Sequence, residues 1–154
     1  MTTTTGKTTF TKAGNTTGGN FTTKRGNELL VVVGNEPGTF ANVTGPLARN
    51  NIHVECFTAY AWGNEVAFRF VTDNNNKARE IWTNAGYNVT ESPVAIWYTD
   101  NNPTTLGKAT TAMATACIDT YCSYMNAVPN TSNTVVTFNT SDTNKTINIL
   151  NDIG

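Results

Sequence analysis

The chain repeats one succession of apolar runs and turns at a constant offset. Pro37 and Pro103 each follow an apolar run, and Ile52 and Ile118 each begin an alternating segment, so that 103 − 37 and 118 − 52 both equal 66. Self-similarity at a fixed offset is the sequence signature of repeated structural units. The 154 residues therefore hold two copies of one small unit rather than one large domain.

The first copy contains the elements of a small α+β unit. A continuous run of Leu and Val over 29–33 is typical of a central strand. Apolar residues at Phe40, Val43 and Leu47 have the spacing of a helix face, with Thr39 as the predicted N-cap. The remaining predicted segments are a strand over 52–58, a hairpin turn over 61–64, a return strand over 66–71, a helix capped by Asp73 and ended by Gly86, and a short closing strand over 87–89.

The second copy follows the same order of elements. Its predicted segments are a strand over 95–98, a turn over 100–104, a helix with an apolar face at Leu106, Ala109, Met113 and Cys117, a strand over 118–124, a hairpin loop that begins at 128–130, a return strand over 135–138 and a helix capped by Asp142. Both copies therefore read as strand, helix, strand, strand and helix.

This order predicts the fold class, because two helices can cover one face of a four-stranded antiparallel sheet. We predict an α+β fold of two ferredoxin-like βαββαβ units in tandem, over residues 28–92 and 93–154, each an antiparallel sheet with two helices on one face. The two sheets either pair edge to edge or pack face to face, since both arrangements bury surface that one unit exposes. Residues 1–27, rich in Thr, Gly and Asn, are predicted to be a leader that cannot bury a core.

Charge and hydropathy exclude two classes of partner. The formal net charge is −1 and 14% of the residues are charged, so no basic surface is available for a nucleic-acid backbone. No segment approaches the roughly 18 consecutive apolar residues of a membrane-spanning helix, and the beginning of the chain lacks the apolar run of a signal peptide. We therefore expect a soluble, cytoplasmic protein that binds neither nucleic acid nor membrane.

Cysteine, histidine and the charged residues give no sign of catalysis or of a metal centre. The three cysteines form no Cys-x-x-Cys pair, and the single histidine, His53, cannot build a zinc site alone. Glu55 and Arg69 are interpreted as a cross-strand or interface ion pair rather than as a catalytic couple. We predict no catalytic residues, no metal and no cofactor.

Several segments of the first copy resemble the ACT domain, a small-molecule-sensing module attached to many enzymes of amino-acid metabolism. The resemblance rests on the apolar strand 30–33, the turn Asn35-Glu36-Pro37-Gly38, the helix 40–48 and the segment Asn51-Ile52-His53-Val54. From residue 28 to residue 154 the chain resembles a stand-alone tandem ACT protein. The resemblance implies a βαββαβ fold, association of units through their sheets, and an amino acid or related effector bound near the loop between the first strand and the first helix, at the interface between units.

By this resemblance the candidate ligand-binding residues of the first unit are Asn35, Glu36, Gly38, Thr39 and Phe40. A glycine at position 38 lets the backbone approach a ligand closely, and the amides at a helix N-terminus attract a carboxylate. The alternative interpretation of these residues is a purely structural turn.

The candidates of the second unit rank second, and they are Asp100, Asn101, Asn102 and Thr105. The second unit departs from the ACT pattern, because Thr104 stands where the first unit has Gly38 and Cys117-Ile118 replaces Asn51-Ile52. A positive φ at Thr104 is strained, and its side chain blocks part of the backbone.

The leading functional hypothesis is a non-enzymatic regulatory protein that binds an amino acid or similar small effector and acts through oligomer geometry. The alternative is a structural or protein-interaction module that self-assembles through exposed sheet surfaces without a ligand. Because one face of each predicted sheet lacks helices, we expect a homodimer or higher homo-oligomer, with Phe57 at the contact. Trp62, at a hairpin tip, is placed to cover a ligand or a partner subunit.

Overall fold

The computed structural model describes residues 21–129, 131 and 133–153, which form an α+β fold with four helices and one six-stranded antiparallel sheet. The elements in chain order are β1 (Thr22–Gly34), α1 (Thr39–Arg49), β2 (Val54–Trp62), β3 (Glu65–Thr72), α2 (Asn75–Asn84), β4 (Val89–Thr99), α3 (Pro103–Thr115), β5 (Thr120–Ala127), β6 (Thr134–Thr140) and α4 (Thr143–Ile153). Residues 1–20 of the predicted leader and Asn130 of the predicted hairpin loop lie outside the described residues.

The strands form one sheet in the order β2-β3-β1-β4-β6-β5, so the two halves join edge to edge within one six-stranded sheet instead of packing two four-stranded sheets face to face. The predicted strand 95–98 lies inside β4, which includes only Val89 of the predicted closing strand 87–89, so the predicted unit boundary at 92/93 falls inside a strand. Pro93 does not interrupt β4, because β6 pairs with β4 only over residues 95–99 and the missing N–H leaves no gap in that ladder.

Strand β1 begins at Thr22, six residues before the predicted boundary between leader and first unit. Its first half pairs with β4 from Thr22 opposite Tyr98 to Asn27 opposite Pro93. Phe21 packs edge-on against Trp97, with 5.8 Å between the ring centroids. This polar segment is ordered by pairing with a strand far along the chain, which its own composition does not reveal.

Two apolar cores lie between the sheet and the helices. The first joins β1 and β3 to α1 and α2, and its buried members are Leu29, Val31, Val43, Leu47, Ile52, Val66, Phe68, Phe70, Ala78 and Trp82. The second joins β4 and β6 to α3 and α4, and its buried members are Ala95, Trp97, Ala109, Met113, Ile118, Val136, Phe138 and Leu150. The predicted packing anchors Trp82 and Trp97 are both fully buried.

The ends of α2 and α4 agree with the sequence only in part. Gly86, with φ 89°, follows α2, and Asp142 accepts the N–H of Lys145 at 2.9 Å at the start of α4. The cap of α2 is Asn74 rather than the predicted Asp73. The carboxylate of Asp73 instead accepts the backbone N–H of His53 at 3.0 Å and contacts its ring Nδ1 at 2.8 Å.

Helices α1 and α3 are closed in the same way. Asn51 and Cys117 are the non-glycine residues with positive φ among the described residues, at 53° and 56°, and 117 − 51 equals 66. In each case the N–H of the next residue donates to the carbonyl five residues earlier, at 3.0 Å, which is the Schellman motif. The replacement of Asn by Cys therefore leaves the local backbone unchanged.

The face of the sheet opposite the helices is curled inward. The two edge strands β2 and β5 approach each other at a few positions although they are at opposite ends of the strand order. Apolar side chains from strands alone fill part of the enclosed space, and its buried members are Cys56, Val71, Val94 and Ile96. Curling therefore covers much of the face that we expected to be open.

A β-bulge in β2 reverses the predicted face of Phe57. The register shifts between Val54 and Cys56, so Phe57 lies opposite Phe70 on the helix side, at 5.8 Å between ring centroids. The expectation that Phe57 faces the helix-free side is wrong, because a bulge adds one residue and changes the alternation of side chains.

The predicted Glu55–Arg69 pair is also absent from the described residues. Glu55 accepts from Lys24 at 3.0 Å, and Arg69 donates to Glu28 at 2.6 Å. Residue 69 lies opposite Thr58 rather than opposite Glu55, so the two side chains are not cross-strand partners.

Candidate functional site

The loop 34–38 connects β1 to α1 and is held by the first residue of the helix. Thr39 Oγ1 donates to the carbonyl of Gly34 at 3.0 Å and accepts the N–H of Glu36 at 3.3 Å. The N-cap is Gly38 rather than the predicted Thr39, and it has φ 90°. A side chain at position 38 would meet open space, so the left-handed backbone rather than crowding requires glycine here.

The N-terminus of α1 lacks a side-chain cap. The N–H of Thr39 bonds to the carbonyl of Glu36 and that of Asn42 to the carbonyl of Gly38. The N–H groups of Phe40 and Ala41 have no partner among the described residues. Two backbone donors at the positive end of the helix dipole are therefore free to bind an anion.

Side chains of different character surround these donors. Glu36 and Asn35 are exposed on the loop, and the N–H of Asn35 donates to Asn64 of the β2–β3 hairpin at 2.8 Å. Phe40 is 47% exposed and stacks on Phe68 with 5.3 Å between centroids. The loop thus combines a carboxylate, an amide, backbone donors and an aromatic surface.

Trp62 lies at the hairpin tip, as predicted, but on the other side of the sheet from Phe40. Its neighbour Ala61 pairs with the core residue Val66 and therefore faces the helices. Trp62 is the next residue along the strand and pairs with Glu65, so its side chain points to the side of the sheet without helices. The side chain is 83% exposed. The hairpin therefore presents Trp62 to solvent or to a partner rather than to the loop before α1.

The corresponding loop before α3 has a different structure. Asn102 caps the helix by accepting the N–H of Thr104 at 2.9 Å, and its carbonyl accepts the N–H of Thr105 at 3.0 Å. Pro103, the first helical residue, has no N–H. This N-terminus has no free donor in its first turn comparable to those of Phe40 and Ala41.

The expected strain at Thr104 is not found. Helix α3 begins at Pro103, so Thr104 is already helical, and positive φ among the described non-glycine residues occurs elsewhere. Asn101 is exposed and Thr105 is half-buried. A shallow depression on α3 lies beside this turn, lined by Thr104, Lys108 and Thr111.

The structure keeps the two predicted loops apart. Strands β1 and β4 are antiparallel, so the loop after Gly34 and the loop after Thr99 leave the pair at opposite ends. Thr22 lies opposite Tyr98, and the 13 residues from Thr22 to Gly34 span about 40 Å at the rise of an extended strand. Within one chain the two loops cannot contact a single small ligand together.

Sequence analysis missed most of a group of buried polar atoms at the end of β4, since only Asp100 is among the predicted site residues. Seven buried side-chain polar atoms have no hydrogen-bond partner among the described residues, and five of them belong to Thr23, Trp97, Thr99, Asp100 and Thr134. Comparison of the two halves of the repeat could have indicated this group, because threonines replace valines at corresponding positions. Positions 99 and 134 form a cross-strand pair, and the corresponding pair in the first half is Val33 and Val66.

It also missed a buried carboxylate on the curled face. Glu28 is 1% exposed and accepts from Arg69 at 2.6 Å, from Tyr124 at 2.9 Å and from Asn139 at 3.3 Å. Burial is the largest cause that raises the pKa of Tyr124, and the negative charge of Glu28 is the second. The Tyr124 hydroxyl therefore stays protonated and donates to Glu28. The cluster joins β1 to β3 in one half and to β5 and β6 in the other.

Cys56 belongs to the enclosed cluster on the curled face, and Cys122 lies opposite Asn139, which donates to Glu28. Burial raises the pKa of Cys56, and it raises the pKa of Cys122 against the opposing effect of Arg69. Both thiols are therefore held in the protonated form, which is a poor nucleophile.

The described residues contain no group of three or more His, Cys, Asp or Glu arranged to hold a metal ion, and none of their helices is long and apolar enough to cross a bilayer.

Comparison with known proteins gives a fold and no family. No family model matches the chain, and no curated protein matches it. A crystal structure of a protein from Bacteroides thetaiotaomicron is similar over 84% of this chain and 89% of that chain, with a TM-score of 0.76 and 20% identity. The ligand-free regulatory subunit of aspartate kinase from Thermus thermophilus is similar over 86% of this chain and 95% of that chain, with a TM-score of 0.61 and 14% identity.

An aspartate kinase from Clostridium acetobutylicum is similar to this chain over only part of its own length. The similarity covers 86% of this chain but 34% of the kinase, with a TM-score of 0.60 and 12% identity. At these identities the likeness concerns the fold alone. The chain shares an α+β fold with these proteins, which agrees with the predicted fold class.

Proposed function

We propose that this protein is a non-enzymatic regulatory module of two ACT-like units in tandem, which binds an amino acid or a related small effector at the loop before α1. The observation that carries the proposal is the uncapped N-terminus of α1 behind Gly38, with two free backbone donors. The likeness to aspartate kinase regulatory subunits supports a regulatory rather than a catalytic role. The matching Schellman motifs at Asn51 and Cys117 support the tandem arrangement.

The loop offers complementary groups to both ends of a zwitterion. A carboxylate accepts from the N–H groups of Phe40 and Ala41 and gains about 0.3–1 kcal/mol from the helix dipole. The exposed carboxylate of Glu36 and the amide of Asn35 accept from the ammonium group. The exposed ring of Phe40 provides an apolar surface for the effector side chain.

Regulation requires that the effector bind one assembly better than another. The edge strands β2 and β5 carry exposed large apolar residues, which supports a homodimer or higher homo-oligomer that pairs through them. These residues are Val54, Phe57, Tyr60 and Trp62 on β2, and Tyr121 and Met125 on β5.

A thermal-shift screen tests the proposal. The melting temperature is measured with each of the twenty amino acids at millimolar concentration, and we expect at least one to raise it. A ligand at a hundred times its dissociation constant adds about 2.7 kcal/mol to the free energy of unfolding. The absence of any shift with amino acids, keto acids or nucleotides contradicts the proposal.

The second candidate function is a structural module that self-assembles without a ligand. The exposed apolar residues of the two edge strands favour it. Light scattering over micromolar concentrations distinguishes the two candidates. Association that no small molecule changes, together with a negative screen, supports the structural module.

A further inference from the structure

The end of the sheet at the β2–β3 hairpin exposes large apolar side chains on the side without helices. Tyr60 and Val32 both pair with Ala67, and Trp62 pairs with Glu65 in the adjacent row. Cross-strand partners share a face, as do residues two apart on one strand, so these five residues form one surface around the small Ala67. Val32, Tyr60 and Trp62 are 41%, 44% and 83% exposed. We call this surface the hairpin patch.

The curling of the sheet does not cover the hairpin patch. The pairing of β1 with β4 ends at Val31 opposite Val89, so the rows beyond it contain only β1, β3 and β2. Strand β2 is the outer strand of these rows, and residues 59–62 are all exposed. The outward N–H and C=O groups of an edge strand can pair with an added strand. An extended segment that pairs with β2 places alternate side chains on the face of Tyr60 and Trp62.

Negative charge is concentrated at this end of the sheet. Four of the six glutamates form ion pairs with a lysine or arginine, whereas Glu36 and Glu65 form none with another described residue. Both are exposed. They lie at the same end, because Gly34 pairs with Glu65 and the N–H of Asn35 donates to the hairpin carbonyl of Asn64 at 2.8 Å. The surface therefore favours a cationic partner.

The nearby strands of this chain do not supply the complementary charge. Arg69 is the only basic residue of the segments 34–38 and 54–72. It lies in the next row of the same face, but its side chain is 14% exposed and donates to Glu28 at 2.6 Å. A second copy that pairs through an edge strand brings no cation on that strand, because β2 and β5 contain neither lysine nor arginine. These observations favour a different protein as the source of the positive charge.

We propose that the hairpin patch binds an arginine on an extended segment of another protein, which adds to β2 as a further strand. The guanidinium stacks on the indole of Trp62 and donates to the carboxylate of Glu65, while its methylene groups cover Tyr60. Arginine fits better than lysine, because its planar group can stack on an aromatic ring and donate to a carboxylate at the same time. Trp62 points away from the loop before α1, so the proposal does not rest on effector binding.

A synthetic peptide serves as the probe. It has seven residues of alternating threonine and valine, blocked ends and an arginine in place of the central valine, and the control peptide has citrulline, an uncharged analogue, at that position. The readout is the indole N–H resonance of Trp62 during a titration. Trp82 and Trp97 are fully buried, and their resonances serve as internal references. We expect a saturable shift of the Trp62 resonance, and about fivefold weaker binding of the citrulline peptide, because the cation–π contact and the ion pair are lost.

Two variants test the groups that hold the arginine, with fluorescence anisotropy of a labelled peptide as the measurement. Trp62→Ala removes the ring and Glu65→Gln removes the charge, and each is expected to weaken binding of the arginine peptide about threefold or more. Glu65→Gln is also expected to reduce the difference between the two peptides. The matched controls are Val128→Ala, at the exposed position that corresponds to Trp62 in the second half, and Glu55→Gln, at the other end of β2. Both controls are expected to bind as the parent protein does.

Four results overturn the proposal. Three of them are the absence of a saturable Trp62 shift at millimolar peptide, equal affinity for the arginine and citrulline peptides, and unchanged affinity in Glu65→Gln. The fourth is a Trp62 resonance that moves with protein concentration in the absence of peptide, because a second copy then occupies the patch. A negative effector screen with intact peptide binding removes the proposed function and leaves this proposal, and the reverse result removes only this proposal.

Discussion

Glu28 is held by three side chains from strands in both halves of the sheet, with Arg69 at 2.6 Å. Removing one charge of a buried pair leaves the other uncompensated. We expect Glu28→Gln to lower the free energy of unfolding by about 3–5 kcal/mol, measured by urea denaturation. The control is Glu55→Gln, whose Lys24 pair is exposed and whose cost is expected to be about 1 kcal/mol or less. Equal costs for the two variants contradict this account.

Tyr124 gives the same cluster a pH dependence. Its pKa is raised by burial and then by Glu28, so the unfolded chain loses the phenolic proton at lower pH than the folded protein does. This contribution to stability is complete below pH about 10 and is lost progressively above it. We expect Tyr124→Phe to be less sensitive to alkaline pH than the parent in denaturation curves at pH 8 to 11. Parallel curves for the two proteins contradict the assignment.

Among the elements, the helix ends give the sharpest comparison between the two halves. Cys117 has φ 56° in a position where glycine is unstrained. We expect Cys117→Gly to raise the free energy of unfolding by about 0.5–1 kcal/mol, because the strain of the left-handed backbone is relieved. Ala116→Gly, one residue earlier at φ −84°, is the control and should lower it. A stabilising Ala116→Gly or a destabilising Cys117→Gly contradicts the interpretation.

The same elements show what a sequence can predict. The repeat, the four helices and the hairpins follow from local periodicity and capping, and the structure contains them. The first half of β1 and the continuity of β4 depend on pairing between distant segments, which periodicity does not encode. The bulge near Cys56 places Phe57 on the face opposite to the predicted one. The alternation of apolar and polar residues in the sequence does not indicate where a strand contains an inserted residue. At the candidate site, the sequence predicted that a loop precedes α1. It did not predict that the N-terminus of α1 lacks a side-chain cap while Asn102 caps that of α3, because these differences depend on backbone and side-chain geometry.

In the whole molecule, β1 and β4 connect both apolar cores, so residues of the predicted leader belong to the folded body. A Cβ at Gly26 would lie 2.7 Å from Cδ1 of the buried Ile96, whereas one at Gly34, on the same strand, meets open space. We expect Gly26→Val to lower the free energy of unfolding by about 1–3 kcal/mol through overpacking. Gly34→Val is the control, expected to change it far less, and differential scanning calorimetry compares them. Equal stability of the two variants would mean that residues 22–27 are not part of the sheet.

Calorimetric titration of two glycine variants with the effector found in the screen tests the central claim most directly. Gly38 and Gly86 have φ of 90° and 89°, and a side chain at either position meets open space, so valine introduces similar backbone strain at both. Position 38 adjoins the free donors of α1, whereas Gly86 follows α2. We predict that Gly38→Val loses binding while Gly86→Val binds as tightly as the parent protein. Unchanged affinity in Gly38→Val, or equal loss in both variants, contradicts the placement of the site.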